Sequence, residues 1–562
     1  MSDGTLIDDP QLMSECFADA FSEVFSSSVP PEPAPNQICT GSFDIVNVSP
    51  HDVSKALSSL DSNSSMGGDD IHPRLLKSLS EQLSIPLSII FNTSLQEGVL
   101  PDEWLLSIIV PIFKNSSRYS PLNYRPISLT SVVCKSFEKI IVNKLMNYLN
   151  ENYILSEHQF GFRSGFSTID QLLISYNDIT KYIDQGLVVD LLFFDFSKAF
   201  DSVCHVILLS KLSDIGICSQ LVTWIGCFLQ NRVMKVKVAG ALSESQPVKS
   251  GVPQGSVLGP VLFLIYVNSV VSNLSCKYKI FADDIKMYLC FNSDDYAGSR
   301  QLAQGDIDSL VNTSKSWGLS MNVAKCKCMR FAPKSSILPY TGVSPYKIDD
   351  SLIDFTLSHS DLGVCVDRTL KFHTHIRKNA GILNGMTNNI LSCTLNRDAD
   401  FIMNIYVSYI RPKLEYGSPL WNVGYRGDVK LLERVQRRWT RAVNGFSELS
   451  YGERLHRLNL FSFQGRLLRS DLILVWKIFH NECAIHYDEL FVLESSRHQT
   501  RGHDFKIFVP RVNLAVRTKY FSVRVVTYWN SLAADTVAAD SSSLFKCLLL
   551  RDLGQTLFVF ID

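Results

Sequence analysis

The stretch Tyr278-Lys-Ile-Phe-Ala-Asp-Asp-Ile285 reads as a strand, a tight turn carrying two acids, and the start of a second strand. Two like charges about 4 Å apart repel by about 4 kcal/mol at an effective dielectric near ~20. Asp283 and Asp284 therefore require a positive partner, or one of them must hold a proton. Working outward, about ninety residues upstream, Val188-Val-Asp-Leu-Leu-Phe-Phe-Asp195 is another apolar strand that ends in an acid. If folding sets Asp195 against Asp283, the carboxylates make a site for a hard divalent cation such as Mg²⁺, which keeps waters and binds substrate phosphates. A strand with a terminal acid, then helices, then a hairpin with paired acids predicts an α+β unit with antiparallel sheet at the site.

A chain of 562 residues exceeds what one core holds and predicts roughly two to four domains. The net charge of −1 hides an asymmetry: residues 1–70 carry twelve acids and one base, Lys55, which leaves the remainder at +10. Residues 426–469 hold ten Lys/Arg against four acids, a composition suited to facing phosphates. The fourteen cysteines are scattered, with only Cys326 and Cys328 close together, and no zinc-type Cys-x₂-Cys pattern is present. Reduced thiols are predicted. No signal peptide is seen, and the longest apolar run, Val257 to Val267, is about half a bilayer span. A soluble intracellular protein without a membrane partner is the expectation.

The first segment predicts an amphipathic helix near 11–25, a linker at Ser26-Ser-Ser-Val-Pro-Pro-Glu-Pro-Ala-Pro35, and helices at 50–62, 73–82 and 84–97. Glu103 to Phe113 reads as a strand leading to the basic Lys114. Helices are then expected at 131–150, 167–184, 205–215 and 219–230, and strands at 188–196, 233–240, 277–282 and 285–291. From about 367 the pattern turns helical, with 374–393, 398–415, 428–443 and 463–481 as candidates.

Several blocks carry chemistry. In Phe194-Asp-Phe-Ser-Lys-Ala-Phe-Asp-Ser202 the strand turns into a helix, and such a turn exposes backbone N–H groups suited to triphosphate oxygens. Phe200 lies over the same pocket as Asp195 or fills the core, and Asp201 reads as a helix-start cap. Ser250-Gly-Val-Pro-Gln-Gly-Ser-Val-Leu-Gly-Pro260 is a loop approached closely by something, or a plain turn, before a buried helix. Lys325 and Lys327 stand where a strand begins, and a lysine there could protonate a leaving pyrophosphate or simply be solvated. Arg125 and Arg163 each sit beside aromatics in a turn, as phosphate forks or surface ion pairs. Arg434, Arg437, Arg438 and Arg441 share one helical face that could track a duplex backbone, or a solvated face.

The ordered series NYRPISL, HQFGFRSGFST, FFDFSKAFDSV, SGVPQGSVLGP, FADD and WGLSMNVAKCK resembles the reverse transcriptase domain of non-LTR (LINE-type) retrotransposons, over residues 94–366 and more loosely to about 445. The resemblance implies a right-hand polymerase: fingers, a palm with antiparallel sheet, and a helical thumb. It divides the chain into an acidic linker and N-terminal helical extension (1–93), fingers and palm (94–366), a helical thumb-like region (367–480) and a mixed C-terminal region of unknown role (481–562). It implies that Asp195, Asp283 and Asp284 are catalytic acids holding two Mg²⁺ ions, with Mn²⁺ as an alternative, and that Lys325 is the lysine of the motif after the catalytic hairpin. Phe200 matches the bulky residue that excludes a ribose 2′-OH, while Gln254 and Gly255 in the Pro-Gln-Gly turn, with Arg125 and Arg163, match nucleotide-binding positions. His359 to Val366 resembles the segment that grips a primer terminus, and 409–421 and 432–441 resemble the thumb, whose arginine stripe faces nucleic acid.

The implied partners are an RNA template, a DNA primer and dNTPs, the implied reaction is RNA-directed DNA synthesis, and the implied residence is the nucleus. An endonuclease domain, a zinc knuckle and an RNase H segment are not recognisable, and the expectation is a fragment of an element, a truncated copy or a mispredicted gene product, with a separate or lost endonuclease as one option. An RNA-dependent RNA polymerase and a group II intron maturase share the palm acids. Ala282 and Phe200 favour deoxynucleotides over the first, and the thumb wording disfavours the second. A truncated or domesticated relative that binds RNA or a partner without polymerising is the alternative.

Overall fold

Seven consecutive buried residues, Val188–Phe194, form the strand around which the chain is arranged. The computed structural model describes residues 6–23, 25, 42–44, 46–114, 117–272, 274–333, 343–494 and 503–558. In it this strand has antiparallel neighbours on both sides, Asp284–Phe291 and Lys327–Phe331. Lys277–Phe281 pairs antiparallel beyond the first, and Ser351–Phe355 then Val343–Ile348 extend the sheet beyond the second to six strands. A strand covered on both faces reads as a continuous apolar run because neither set of alternating side chains meets water. Here the alternation sorts side chains between two cores. Val188, Leu192 and Phe194 point with Met287 and Phe291 into one, and Val189, Leu191 and Phe193 point with Tyr288 and Phe331 into the other.

The first core is built from Pro50–Ser58, Ser80–Glu97, Val132–Glu151, His205–Asp214, Ser219–Leu229 and Gly259–Val267. The second is covered by Thr168–Asp184 and by the helical part of the chain from His373 onward. A separate sheet pairs Leu106–Phe113 antiparallel with Tyr124–Leu129 and parallel with Val233–Val238. On it lies the helix Pro10–Ser22, whose Ala18 and Phe21 cover Ile109, Met234 and Val236. The result is a mixed α/β architecture with antiparallel pairing where the acids lie.

Asp190 is the one charge inside the central strand, and it is fully buried. Its carboxylate accepts from Arg330 Nε at 2.7 Å, Arg330 Nη2 at 2.6 Å and the Tyr346 hydroxyl at 2.8 Å. A buried charge is tolerated only when paired and hydrogen-bonded, and this one is both.

The C-terminal residues are tied to the same body. Arg517 Nη1 donates to Asn177 Oδ1 at 2.8 Å and to Thr180 Oγ1 at 3.0 Å, and the Leu514 N–H donates to Asp184 Oδ1 at 2.7 Å, all on the helix Thr168–Asp184. The last helix, Ser542–Phe558, stacks Phe545 on Trp476 at 5.6 Å.

Several expectations shift. The break between the helices Pro73–Ser78 and Ser80–Glu97 falls at Leu79, and Pro86 is accommodated inside the second. Residues 102–105 form a helical turn before the strand starts at Leu106. The helix expected over 398–415 is interrupted: Ala399–Ile405 widens into a π turn at Tyr406–Ile410 before Arg411–Glu415. Pro412 supplies no N–H to the preceding turn, which favours the wider ring. The helix Tyr296–Ser316 forms although its polar composition gives weak periodicity. The linker Ser26–Pro35 lies outside the described residues. Every described cysteine is a free thiol, and no described helix is long and apolar enough to cross a membrane.

Candidate active site

The register of the central sheet assembles the acids. Phe194 faces Ile285, so one step further along the strand Asp195 stands beside Asp284 and the turn Phe281-Ala282-Asp283-Asp284. Phe281 pairs with Asp284, leaving a two-residue turn. Ala282 adopts φ +58°, a positive φ at the first central residue, as a type II′ hairpin turn demands. A non-glycine residue there is strained by about 1–3 kcal/mol and persists only if its surroundings hold it. The holding group is Gln159, whose Oε1 accepts from the Ala282 N–H at 3.0 Å and the Gly161 N–H at 2.8 Å. A Cβ on Gly161 would stand 2.5 Å from Ala282 N, so only glycine lets the two backbones meet.

The electrostatics follow from the crowding. Burial raises Asp283 above the usual carboxylate range and the charge of Asp195 adds to this, while Lys114 and Lys325 oppose it. Asp284 remains accessible from the cleft, yet the protein around it and the carboxylates of Asp283, Asp195 and Asp361 push it up to about 6. Lys325 Nζ binds Asp195 Oδ2 at 2.7 Å. Lys286, two residues past Asp284 on the same face of its strand, is paired with Asp361 at 2.6 Å in a buried position. The Tyr176 hydroxyl donates to the same Asp361 oxygen at 2.9 Å.

A cavity of about 630 Å³ opens against these groups, lined by Asp195, Asp283, Lys325, Phe200, Gln254 and Arg125 among others. Lys114 and Lys198 add positive charge to its wall, and Ala20, Phe21 and Phe25 close part of it. Phe200 is fixed by stacking on Phe263 at 4.1 Å and 15°. On the other side of Asp195 a cavity of about 380 Å³ is lined by Asp284, Lys286, Lys325, His359 and Leu362. His359 stacks on Phe193 at 4.1 Å.

Other residues singled out from the sequence are placed elsewhere. The Arg163 guanidinium donates to the carbonyls of Ser156 at 2.9 Å and Gln159 at 3.3 Å and covers the Phe166 ring at 4.2 Å. It fastens the loop that braces the acid turn and is absent from the cavity wall. Gly255 also lies off the wall: at φ +126°, its missing Cβ would stand 2.4 Å from Ser128 O, so glycine welds this loop to the strand carrying Arg125. Asp201 is not a helix cap. The helix starts at His205 after Cys204, and the Asp201 carboxylate instead accepts from Gln254 Nε2 at 2.8 Å. Of the amides following Asp195, that of Ser197 is already donated to Ser320 O at 2.8 Å.

Arg434, Arg438 and Arg441 are exposed on the helix Arg426–Arg441, opposite the buried Leu432, Val435 and Trp439. Arg437 is half-buried over the Tyr451 ring at 4.6 Å.

Gln159, the Lys286–Asp361 pair and Glu138 are supporting residues that sequence reading passed over. Glu138 is fully buried and accepts from the Val257 and Leu258 N–H groups at 2.7 and 2.9 Å, seating the glycine-rich loop on the helix Val132–Glu151. Its only sequence signal is an acid on an otherwise apolar helix face.

The donor set suits a hard cation: Asp195, Asp283 and Asp284 lie close together, burial and then the neighbouring carboxylates raise the last two, and Lys325 is salt-bridged to the first. No preformed cage of three or more ligating side chains exists among the described residues. An ion that uses one or two carboxylates together with substrate phosphates needs none.

Residues 112–346 match the family described as "Reverse transcriptase (RNA-dependent DNA polymerase)". The chain is 28% identical over 445 residues to "Probable RNA-directed DNA polymerase from transposon BS" of Drosophila melanogaster, covering 76% of this chain and 48% of that protein. It is 26% identical over 431 residues to "Probable RNA-directed DNA polymerase from transposon X-element" of the same organism, covering 75% and 47%. The match to "RNA-directed DNA polymerase from mobile element jockey", also of Drosophila melanogaster, is 26% over 416 residues, covering 72% and 44%. The chain thus spans about half the length of the curated relatives it matches.

Proposed function

We propose that this protein, whose residues 112–346 match the reverse transcriptase family, is an RNA-directed DNA polymerase of a non-LTR retrotransposon, extending a DNA primer on an RNA template with dNTPs. The observation that carries this reading is the convergence of Asp195, Asp283 and Lys325 on one cavity with Phe200, Gln254 and Arg125 on its wall. In this reading the six-stranded sheet is the palm and the sheet of Leu106–Phe113, Tyr124–Leu129 and Val233–Val238 belongs to the fingers. The helices from His373 to Phe479 are the thumb. Of the described N-terminal residues, Pro10–Ser22 packs on the fingers sheet, and toward the C-terminus Leu514 and Arg517 tie to the helix Thr168–Asp184 while Phe545 stacks on Trp476 of the thumb.

Asp195 and Asp283 would hold two divalent cations, Mg²⁺ or Mn²⁺, with Asp284 beside them; when bound, these acidify the primer hydroxyl and neutralise the departing pyrophosphate. The residues of the chain do the rest. Lys114, Arg125 and Lys198 face the cavity and attract and orient the triphosphate. Lys325, ion-paired to Asp195 before substrate arrives, is placed to pass a proton to the leaving group. Phe200, immobilised against Phe263, fills the space a 2′-hydroxyl would need. The 380 Å³ cavity beyond Asp195 takes the primer end between His359 and Leu362, and exposed Arg434, Arg438 and Arg441 face the duplex backbone.

The test is primer extension on an RNA template by the purified chain, with and without Mg²⁺. Wild-type protein should incorporate dNTPs and Asp283→Asn should not, while both bind template equally. Equal extension by the variant, or binding without extension by the wild type, would overturn the reading.

A further inference from the structure

Asp201 and Gln254 are 53 positions apart, yet one carboxylate oxygen of the first accepts from Nε2 of the second at 2.8 Å. Both line the 630 Å³ cavity, beside Phe200. The backbone beneath them is joined with no slack. The Val252 N–H donates to Phe200 O and the Gly251 N–H to Val203 O, both at 2.9 Å. The Ser250 hydroxyl donates to Asp201 O at 2.8 Å. At Gly251, with φ +85°, a Cβ would stand 2.7 Å from the Asp201 Cα. The loop carrying Gln254 therefore cannot slide relative to the turn carrying Phe200 and Asp201, and what remains free is the rotation of the Gln254 amide.

A carboxylate is acceptor-only, so an ionised Asp201 can be satisfied by Gln254 only through its NH₂. That choice turns the amide oxygen away from Asp201. We infer that Asp201 is a positioning residue of the nucleotide site: it locks the Gln254 amide so that its carbonyl oxygen, an acceptor, is presented to a hydrogen-bond donor on the incoming nucleotide beside Phe200. The inference rests on the reading of this cavity as the dNTP site. The neighbours agree with an ionised Asp201: the Gln254 hydrogen bond and the charge of Lys198 favour the carboxylate, and His205 is occupied with Gly251 O at 2.8 Å. Burial nevertheless raises Asp201 to about 6, so the charge is held at neutral pH with little margin.

Asparagine at this position is isosteric but can both donate and accept, so it satisfies either rotamer of Gln254 and the lock is lost. In steady-state single-nucleotide incorporation, Asp201→Asn should raise KM for dNTP about tenfold, with a smaller fall in kcat, the size expected when a hydrogen bond to a charged group is lost. Combining it with Gln254→Glu restores a donor–carboxylate pair and keeps an acceptor facing the cavity, so the double variant should recover KM toward wild type. Gln254→Ala, which alters no backbone contact, should show the same KM rise and decides the matter should Asp201→Asn fold poorly. An unchanged KM in Asp201→Asn and Gln254→Ala, or a double variant no better than Asp201→Asn alone, would overturn the inference. Absence of incorporation by wild type would instead strike the polymerase reading itself.

Discussion

The substitution Asp190→Asn isolates what holds the central strand, Val188–Phe194, in place. Asp190 lies in that strand, five residues before Asp195, which follows directly on its end. Its carboxylate receives three hydrogen bonds, two from Arg330 and one from Tyr346, and all three side chains are at most 1% exposed. Asparagine keeps the volume and one acceptor but removes the counter-charge. The Arg330 guanidinium is also enclosed by rings, 4.9 Å from Phe355 and 5.1 Å from Tyr296, so it cannot reach water without unpacking the sheet. Removing one partner of such a pair costs about 3–5 kcal/mol, against a total of about 5–15 kcal/mol for a folded domain. Urea titration followed by tryptophan fluorescence and far-UV circular dichroism should show a markedly lower midpoint with an unchanged slope. The paired replacement Asp190→Leu with Arg330→Met removes both charges and should cost less than Asp190→Asn alone, since a buried ion pair exchanged for apolar volume is often neutral. A midpoint for Asp190→Asn indistinguishable from wild type, or a double variant less stable than the single, would refute this account.

Two further outcomes follow from the acid cluster and its support. Asp284 has a folded pKa of about 6, above the ordinary carboxylate value, so between the two the folded state binds more protons than the unfolded one. Its charge therefore lowers stability at neutral pH, and stability returns as pH falls through 6. Asp284→Asn should melt above wild type at pH 7.5, and melting scans should show the gap closing toward pH 4; a pH-independent difference would contradict the assignment. Gln159→Ala removes the shared acceptor of the Ala282 and Gly161 N–H groups. A fall of about tenfold in kcat is expected in primer extension, since leaving such donors unpaired costs about 1–3 kcal/mol at the turn; full activity would show that the turn is held by other means.

The strand ending in Asp195 and the hairpin bearing Asp283 and Asp284 were legible because each is a short apolar run closed by a turn, information contained in ten residues or fewer. The supports were not, because their partners are far apart in sequence. Arg330 is 140 positions from Asp190 and Gln254 is 53 from Asp201, and no local pattern distinguishes Asp201 as a partner from Asp201 as a cap. Arg163 illustrates the reverse error: an arginine among aromatics and glycines suggests a phosphate fork, but the loop's own carbonyls claim it. The C-terminal region was opaque because its helices Ala515–Thr518, Phe521–Arg524, Val526–Asn530 and Ala534–Val537 are too short to display a period.

The attachment of that region to the helix Thr168–Asp184 bears on where the molecule can be cut. Asn177, Thr180 and Asp184 find their partners in Leu514, Arg517 and Ser522. A fragment ending at residue 346, where the family match stops, would return those polar groups to solvent and uncover the apolar second face of the central sheet. The segment matched by the family is thus narrower than the packed unit: residues 520–549 supply part of the outer wall against which Val189, Leu191 and Phe193 of the central strand are pressed.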